Sequence, residues 1–171
     1  FDFRLINGAK EGTRQINGVR FPRIGYVETV RAAREHPHYS DPLEGPNRGR
    51  GVATAFWRNN TGPSSAFASV NSDGTVSLVE GSPDIGGTRV AVAMQMAEVL
   101  TIPVEAVHPS IGDTNSVGYT SSTAGSSVAF KTGWACFEVA QDIKGQMIQR
   151  AASIWDVSSD EVNFFTINQW F

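Results

Sequence analysis

Apolar residues fall in short, unequal runs along this 171-residue chain, and their spacing changes character near position 50. Tyr26 to His36 places Val27, Val30 and Ala33 at helical spacing, and Pro37 limits that helix while biasing His36 toward extended geometry. The stretch Ser40-Asp-Pro-Leu-Glu-Gly-Pro-Asn47 is a loop by composition. Beyond it, 51–57, 66–71 and 75–80 are β-branched or aromatic runs of strand length, and Asn71-Ser-Asp-Gly74 carries hairpin-turn residues. A helix is predicted from Thr88 to Leu100, apolar on most faces and ended with the help of Pro103; 104–111 reads as another strand. From Ala124 to Ile154 the pattern is helical again. Val128, Thr132, Ala135, Val139, Ile143 and Ile148 form its apolar stripe, and Lys131, Glu138, Asp142, Lys144 and Gln149 lie elsewhere. Gly133 and Gly145 mark close packing or a break in it.

The expected fold is α+β: a short antiparallel β-meander packed with two helices, the longer one toward the C-terminus. Two regions are expected, an N-terminal helical arm and linker over 1–47 and the α+β domain over 48–171. A composition that is 40% hydrophobic suffices for one good core or two small ones. The net charge of −3 gives neither nucleic acid nor an anionic membrane an electrostatic hold. Cys136 is the single cysteine, so a disulfide framework and a thiolate metal cluster are excluded, in keeping with a reducing, cytoplasmic compartment. No apolar run approaches the roughly 18 residues of a membrane span. The chain has no initial methionine and ends on Thr166-Ile-Asn-Gln-Trp-Phe171, the look of an excised piece.

Chemistry concentrates at Glu80-Gly-Ser-Pro-Asp-Ile-Gly-Gly-Thr-Arg89. Glycines that allow a close backbone approach, directly before a helix whose first amides lack partners, suit a phosphate or another anion. The plain alternative is a tight strand-to-helix connection, with Arg89 paired to Asp84 rather than to a ligand. Thr123-Ala-Gly-Ser-Ser-Val128 offers the same physics before the second helix, with the hydroxyls and amides of Ser126 and Ser127 as donors. Gly112-Asp-Thr114 is either a ligand-facing turn or an ordinary one. His36, His38 and His108 lack ligand spacing, so no metal site is expected. Cys136 reads as a small core residue. Glu80 and Asp84 read as loop caps, nothing in the sequence raising either pKa. Trp57, Trp134, Trp155 and Trp170 read as core and subunit contacts.

Taken in order, Asn7-Gly-Ala-Lys-Glu-Gly12, Arg50-Gly-Val-Ala53, the hairpin, Glu80 to Arg89, Ala97-Glu-Val-Leu-Thr-Ile-Pro103, Gly112-Asp-Thr114 and Thr123 to Val128 resemble the molybdenum-cofactor-binding large subunit of the xanthine dehydrogenase and aldehyde oxidase family. The resemblance covers nearly the whole chain. It implies oxidation of an aldehyde or aromatic heterocycle with water as oxygen source, by molybdenum held on a pterin (molybdopterin). It also implies cofactor contacts from Gly86, Gly87, Thr88, Arg89, Thr114, Gly125, Ser126, Ser127 and Val128. The implied partners are the rest of the large subunit and flavin and iron-sulfur subunits or domains; self-association of the piece through apolar surface is a further expectation.

Two departures matter. The family's glycine-glutamine-glycine loop is matched by Gly86-Gly87-Thr88-Arg89, without the glutamine. The glycine-glutamate motif that carries the family's catalytic base does not occur, so no catalytic residue is assigned and the segment is expected to be inactive alone. Two other readings stay open. One is a binding or assembly module that shares the fold without the cofactor. The other, a nucleotide-binding enzyme, is disfavoured because the loop lacks the P-loop lysine and no parallel βαβ unit with an acidic residue roughly 20 positions on is apparent.

Overall fold

The computed structural model describes residues 1–57 and 59–164. The chain forms two compact units, Phe1–Phe56 and Trp57–Phe171.

The first unit holds three short helices, α1 (Asp2–Asn7), α2 (Tyr26–Glu35) and α3 (Pro37–Ser40). Helix α2 occupies the expected span and buries Val30; Pro37 starts α3 as a first-turn proline. The strand expected over 51–57 is absent. An unpaired extended segment needs other partners for its polar groups, and here the Arg4 guanidinium donates to the Val52 carbonyl at 2.7 Å and to Thr54 Oγ1 at 2.9 Å.

The second unit is built on three strands, β1 (Ala66–Val70), β2 (Val76–Glu80) and β3 (Val107–Ile111), in the order β1-β2-β3. The hairpin is as predicted: Gly74 has φ of 85°, and β1 pairs with β2 antiparallel from Ala66↔Glu80 to Val70↔Val76. The meander is not. Helix α4 (Thr88–Leu100) crosses over between β2 and β3, which therefore pair parallel, from Val76↔Val107 to Glu80↔Ile111. The short loop 71–75 reverses the strand, whereas a crossover through a helix returns it in the same direction. The sheet is mixed, and a parallel βαβ unit, not apparent in the sequence, is present.

Helix α4 is less enclosed than its composition suggests. Val92, Ala93, Met96, Ala97, Val99 and Leu100 are buried, but Val90 and Met94 face outward. It ends at Thr101 in the left-handed region, whose N–H donates to the carbonyls of Ala97 and Glu98 while Ile102 N–H donates to Ala97; Pro103 follows. The strand expected over 104–111 begins as a 3-10 turn, Val104–Ala106.

Helix α5 (Val128–Trp155) runs unbroken for 28 residues through both glycines. Gly133 is a point of close approach, because a Cβ there would collide with the side chain of Gln95 on α4; Gly145 meets nothing. Helices α4 and α5 pack on each other, α4 on β3 and α5 on β1. Leu78, Val92, Met96, Val107, Cys136 and Ala140 lie in the resulting core. Lys131, expected on the polar side of α5, is instead buried. Trp57, Trp134 and Trp155 are exposed rather than in the core, and Trp170 and the 166–171 ending lie outside the described residues.

Candidate functional site

Because β2 and β3 run parallel, their C-terminal ends lie side by side at Glu80↔Ile111, and the loops after them leave the sheet at one end. Gly112 N–H donates to the Glu80 carbonyl at 2.9 Å, tying the two loops together. The head of α5 is fastened there as well. Ser82 Oγ shares a 2.6 Å hydrogen bond with Thr132 Oγ1, which shares another of 2.8 Å with Ser64 Oγ. Gln95 Nε2 on α4 donates to the Ala129 carbonyl at 2.9 Å. The segments carrying Gly86 to Arg89, Thr114 and Gly125 to Val128 are thus linked to a single end of the sheet, the position where open α/β arrangements take ligands.

The first of these turns is closed by its own aspartate. Asp84 Oδ1 accepts from Gly86 N–H at 3.1 Å, Thr88 N–H at 2.9 Å and Thr88 Oγ1 at 3.1 Å, while Oδ2 accepts from Arg89 Nε at 2.8 Å. The Arg89 guanidinium, helped by these backbone and hydroxyl donors, holds the Asp84 carboxyl well below the usual carboxylate range. Asp84 therefore sits where an external anion would sit at a helix N-terminus. Arg89 takes the plain reading given above. Gly86 and Gly87 are exposed with φ of 109° and 85°, a conformation that glycine adopts freely.

No side chain caps the second turn, in which Ser126 is exposed and Ser127 and Val128 are buried. Gly125 and Ser126 have φ of 62° and 55°, and Ser127 starts α5 without a side-chain cap. The amides of Ser126, Ser127 and Val128 donate none of the described hydrogen bonds. Ser127 Oγ, in a residue 2% exposed, and Thr123 Oγ1 are buried without a partner. Buried hydroxyls are normally satisfied, so these two and the uncapped amides at the head of α5 are the candidate donors for a ligand group. This turn, uncapped, fits the anionic part of a cofactor; in the Gly86–Arg89 turn Asp84 already takes the Gly86 and Thr88 amides and Arg89, leaving the Gly87 amide alone.

The third turn is held by Asp113, whose Oδ1 accepts from Asn115 N–H, Ser116 N–H and Ser116 Oγ at 2.9, 2.9 and 3.0 Å; these donors lower its pKa. Thr114 is exposed on it.

Two features escaped the sequence. Glu80 is 1% exposed; Oε2 accepts from Ser82 N–H at 2.6 Å, and Oε1 has no partner. Burial raises its pKa, contrary to the expectation from sequence. The strict alternation of buried and half-buried residues through β2, in which Glu80 takes a buried position, is the signal that could have shown it. Lys131 is the other: it follows Val128 by three residues, on the inward side of α5. Cys136 is fully buried, its thiol pushed up to about 12 by burial. Among the described residues no group of His, Cys, Asp and Glu could hold a metal ion. A groove of about 680 Å³ between 61–66 and α5, with Lys131, Trp134 and Glu138 in its wall, is lined by none of the nine residues implied as cofactor contacts.

With this geometry in view, residues 23–170 match the family described as the molybdopterin cofactor-binding domain, and the chain belongs to that family. Its fold is similar to that of the Cu,Mo-CO dehydrogenase in its carbon monoxide reduced state, with TM-score 0.56 and 25% identity over 60% of this chain and 13% of that one. Reconstituted CO dehydrogenase from Oligotropha carboxidovorans gives TM-score 0.55 and 25% identity over 59% and 13%. Quinoline 2-oxidoreductase from Pseudomonas putida 86 shares the fold, with TM-score 0.52 and 21% identity over 59% and 13%. The chain thus spans about an eighth of the length of these solved chains. No curated protein matches it. No helix among the described residues is long and apolar enough to cross a membrane.

Proposed function

We propose that this chain is a molybdopterin-binding segment of a molybdenum hydroxylase and that the head of α5 grips the anionic portion of the cofactor. The observation that carries this reading is the uncapped turn at Gly125, Ser126, Ser127 and Val128, whose Ser126, Ser127 and Val128 amides donate none of the described hydrogen bonds, with the buried hydroxyls of Ser127 and Thr123 unpartnered among the described residues. Backbone N–H groups at the positive end of a long helix attract and orient negative charge whatever side chains they carry. Gly86, Gly87, Thr88, Arg89 and Thr114 border the same end of the sheet, and the amide of Gly87 donates none of the described hydrogen bonds. When bound, the cofactor supplies the redox chemistry, the oxidation of an aldehyde or aromatic heterocycle with water as oxygen source. This chain's part is to bind and orient it.

In this reading the working protein includes the rest of a large subunit and flavin and iron-sulfur partners, in the cytoplasm, and the segment alone is inactive. Reconstitution with the neighbouring subunit regions, followed by molybdenum and pterin assays, tests it. Retained stoichiometric cofactor is expected; a folded complex that retains none contradicts the reading. The non-catalytic assembly module is the second reading, favoured by the closed Asp84 turn, and it predicts that empty outcome.

A further inference from the structure

We propose that Lys131 is the positioning residue of the α5 turn, a buried ammonium that fixes the chain leading into the turn and leaves its charge available to an anionic ligand. The inference rests on the reading of this turn as the cofactor grip.

Side chains on a helix lean toward its N-terminus, so a lysine one turn in reaches back over the helix head. Lys131 does so: Nζ donates to Ser121 O at 2.6 Å, Ser121 Oγ at 2.9 Å and Ser122 O at 2.8 Å. Further along, Ser121 N–H donates to Pro63 O at 2.9 Å, and Gly125 O accepts from Asn60 N–H at 2.8 Å. The approach to the turn is therefore pinned at Ser121, Ser122 and Gly125, and the donors of Ser126, Ser127 and Val128 are left over.

The electrostatics of this lysine are adverse on three counts. It is 4% exposed, which penalises a charge. It stands in the first turn of a 28-residue helix, where the dipole disfavours a cation. All three of its acceptors are neutral, and the ion pairs among the described residues are Arg34–Asp2 and Arg89–Asp84. Glu138 lines the same groove and Glu80 connects to α5 through Ser82 and Thr132, but neither pairs with Lys131. Burial lowers its pKa accordingly. Buried charges are ordinarily paired. An ammonium without a counter-charge among the described residues, one turn into a helix whose head carries an unpartnered buried hydroxyl and uncapped amides, is matched by one ligand chemistry, an oxyanion such as a phosphate or pyrophosphate group.

The test uses the full chain with inorganic pyrophosphate as probe, followed through the amide NMR signals of Ser126, Ser127 and Val128. Saturable shifts are expected in the wild type. Lys131→Met should bind about tenfold more weakly, the effect of losing one charged interaction, and Lys131→Arg should recover most of it. No shift at these amides in the wild type overturns the cofactor-grip reading and this inference with it. Equal binding by Lys131→Met overturns the role of Lys131 alone. Should Lys131→Met fail to fold, the titration of Lys131 in the wild type decides. Its midpoint should rise on adding pyrophosphate, because a nearby anion favours the charged form; an unmoved midpoint overturns the inference.

Discussion

Asp84 and Thr88 are joined by two hydrogen bonds, from the Thr88 amide at 2.9 Å and from its hydroxyl at 3.1 Å, both received by Oδ1. The carboxylate thereby caps the helix that the glycine turn was expected to offer to a ligand. Asp84→Ala should lower the urea midpoint of the chain, with Asp84→Asn recovering part of the loss because its carbonyl still accepts. The sign of the pH dependence follows from the depressed pKa. The stabilisation is complete above the unfolded carboxyl value of about 4 and erodes as pH falls below it toward the folded value. Urea midpoints measured from pH 7 down to pH 3 should show wild type and Asp84→Ala converging in acid. A constant difference contradicts the capping role.

Glu80 runs the other way. Its pKa is raised by burial, so its contribution is full below the unfolded value of about 4.3 and is lost as pH rises through the folded value. Glu80→Gln, which keeps an acceptor for Ser82 N–H and cannot ionise, should equal or exceed the wild type in stability at pH 8. It should also show a flatter profile between pH 4 and 9. A wild type whose advantage over Glu80→Gln grows with pH would show that the carboxylate has a partner in solution.

The hydroxyl of Thr132 joins β2 to α5 through Ser82 and to the chain before β1 through Ser64. Thr132→Val keeps the shape and strands the hydroxyl of Ser82, a fully buried residue, while Ser64 Oγ keeps Thr120 Oγ1 at 3.4 Å. A loss of about 1–3 kcal/mol is expected, measured by urea denaturation. A neutral effect would mean that water replaces the link.

Cys136 should resist alkylation by iodoacetamide in the folded chain at pH 8 and react once urea unfolds it. Its thiol is buried in the core and its pKa lies near 12, so almost no thiolate is present. Labelling of the native chain at the rate of a free thiol would contradict the packing of α5 on α4.

Much of the fold was legible because periodicity and turn chemistry are local. The hairpin followed from Asn71 to Gly74, α4 from the apolar run after Thr88, and the stripe of α5 from Val128 to Ile148. The direction of β3 was not, since parallel and antiparallel pairing demand the same residue types and differ only in what connects the strands. At the site, a sequence names donors but not their partners. The Gly86 and Thr88 amides look available until Asp84 is seen to occupy them, whereas the burial of the unpartnered Ser127 hydroxyl can be read only in three dimensions. Spacing alone puts Lys131 off the apolar stripe of α5, and its burial follows from a stem that reaches back to three oxygens of Ser121 and Ser122.

The most direct test of the account is a crystal structure of the complete, cofactor-loaded subunit. It should place an oxygen of the pterin's anionic group within about 3.2 Å of the Ser127 amide or hydroxyl. A cofactor seated elsewhere, with Ser126, Ser127 and Val128 covered by neighbouring protein, would contradict the central claim.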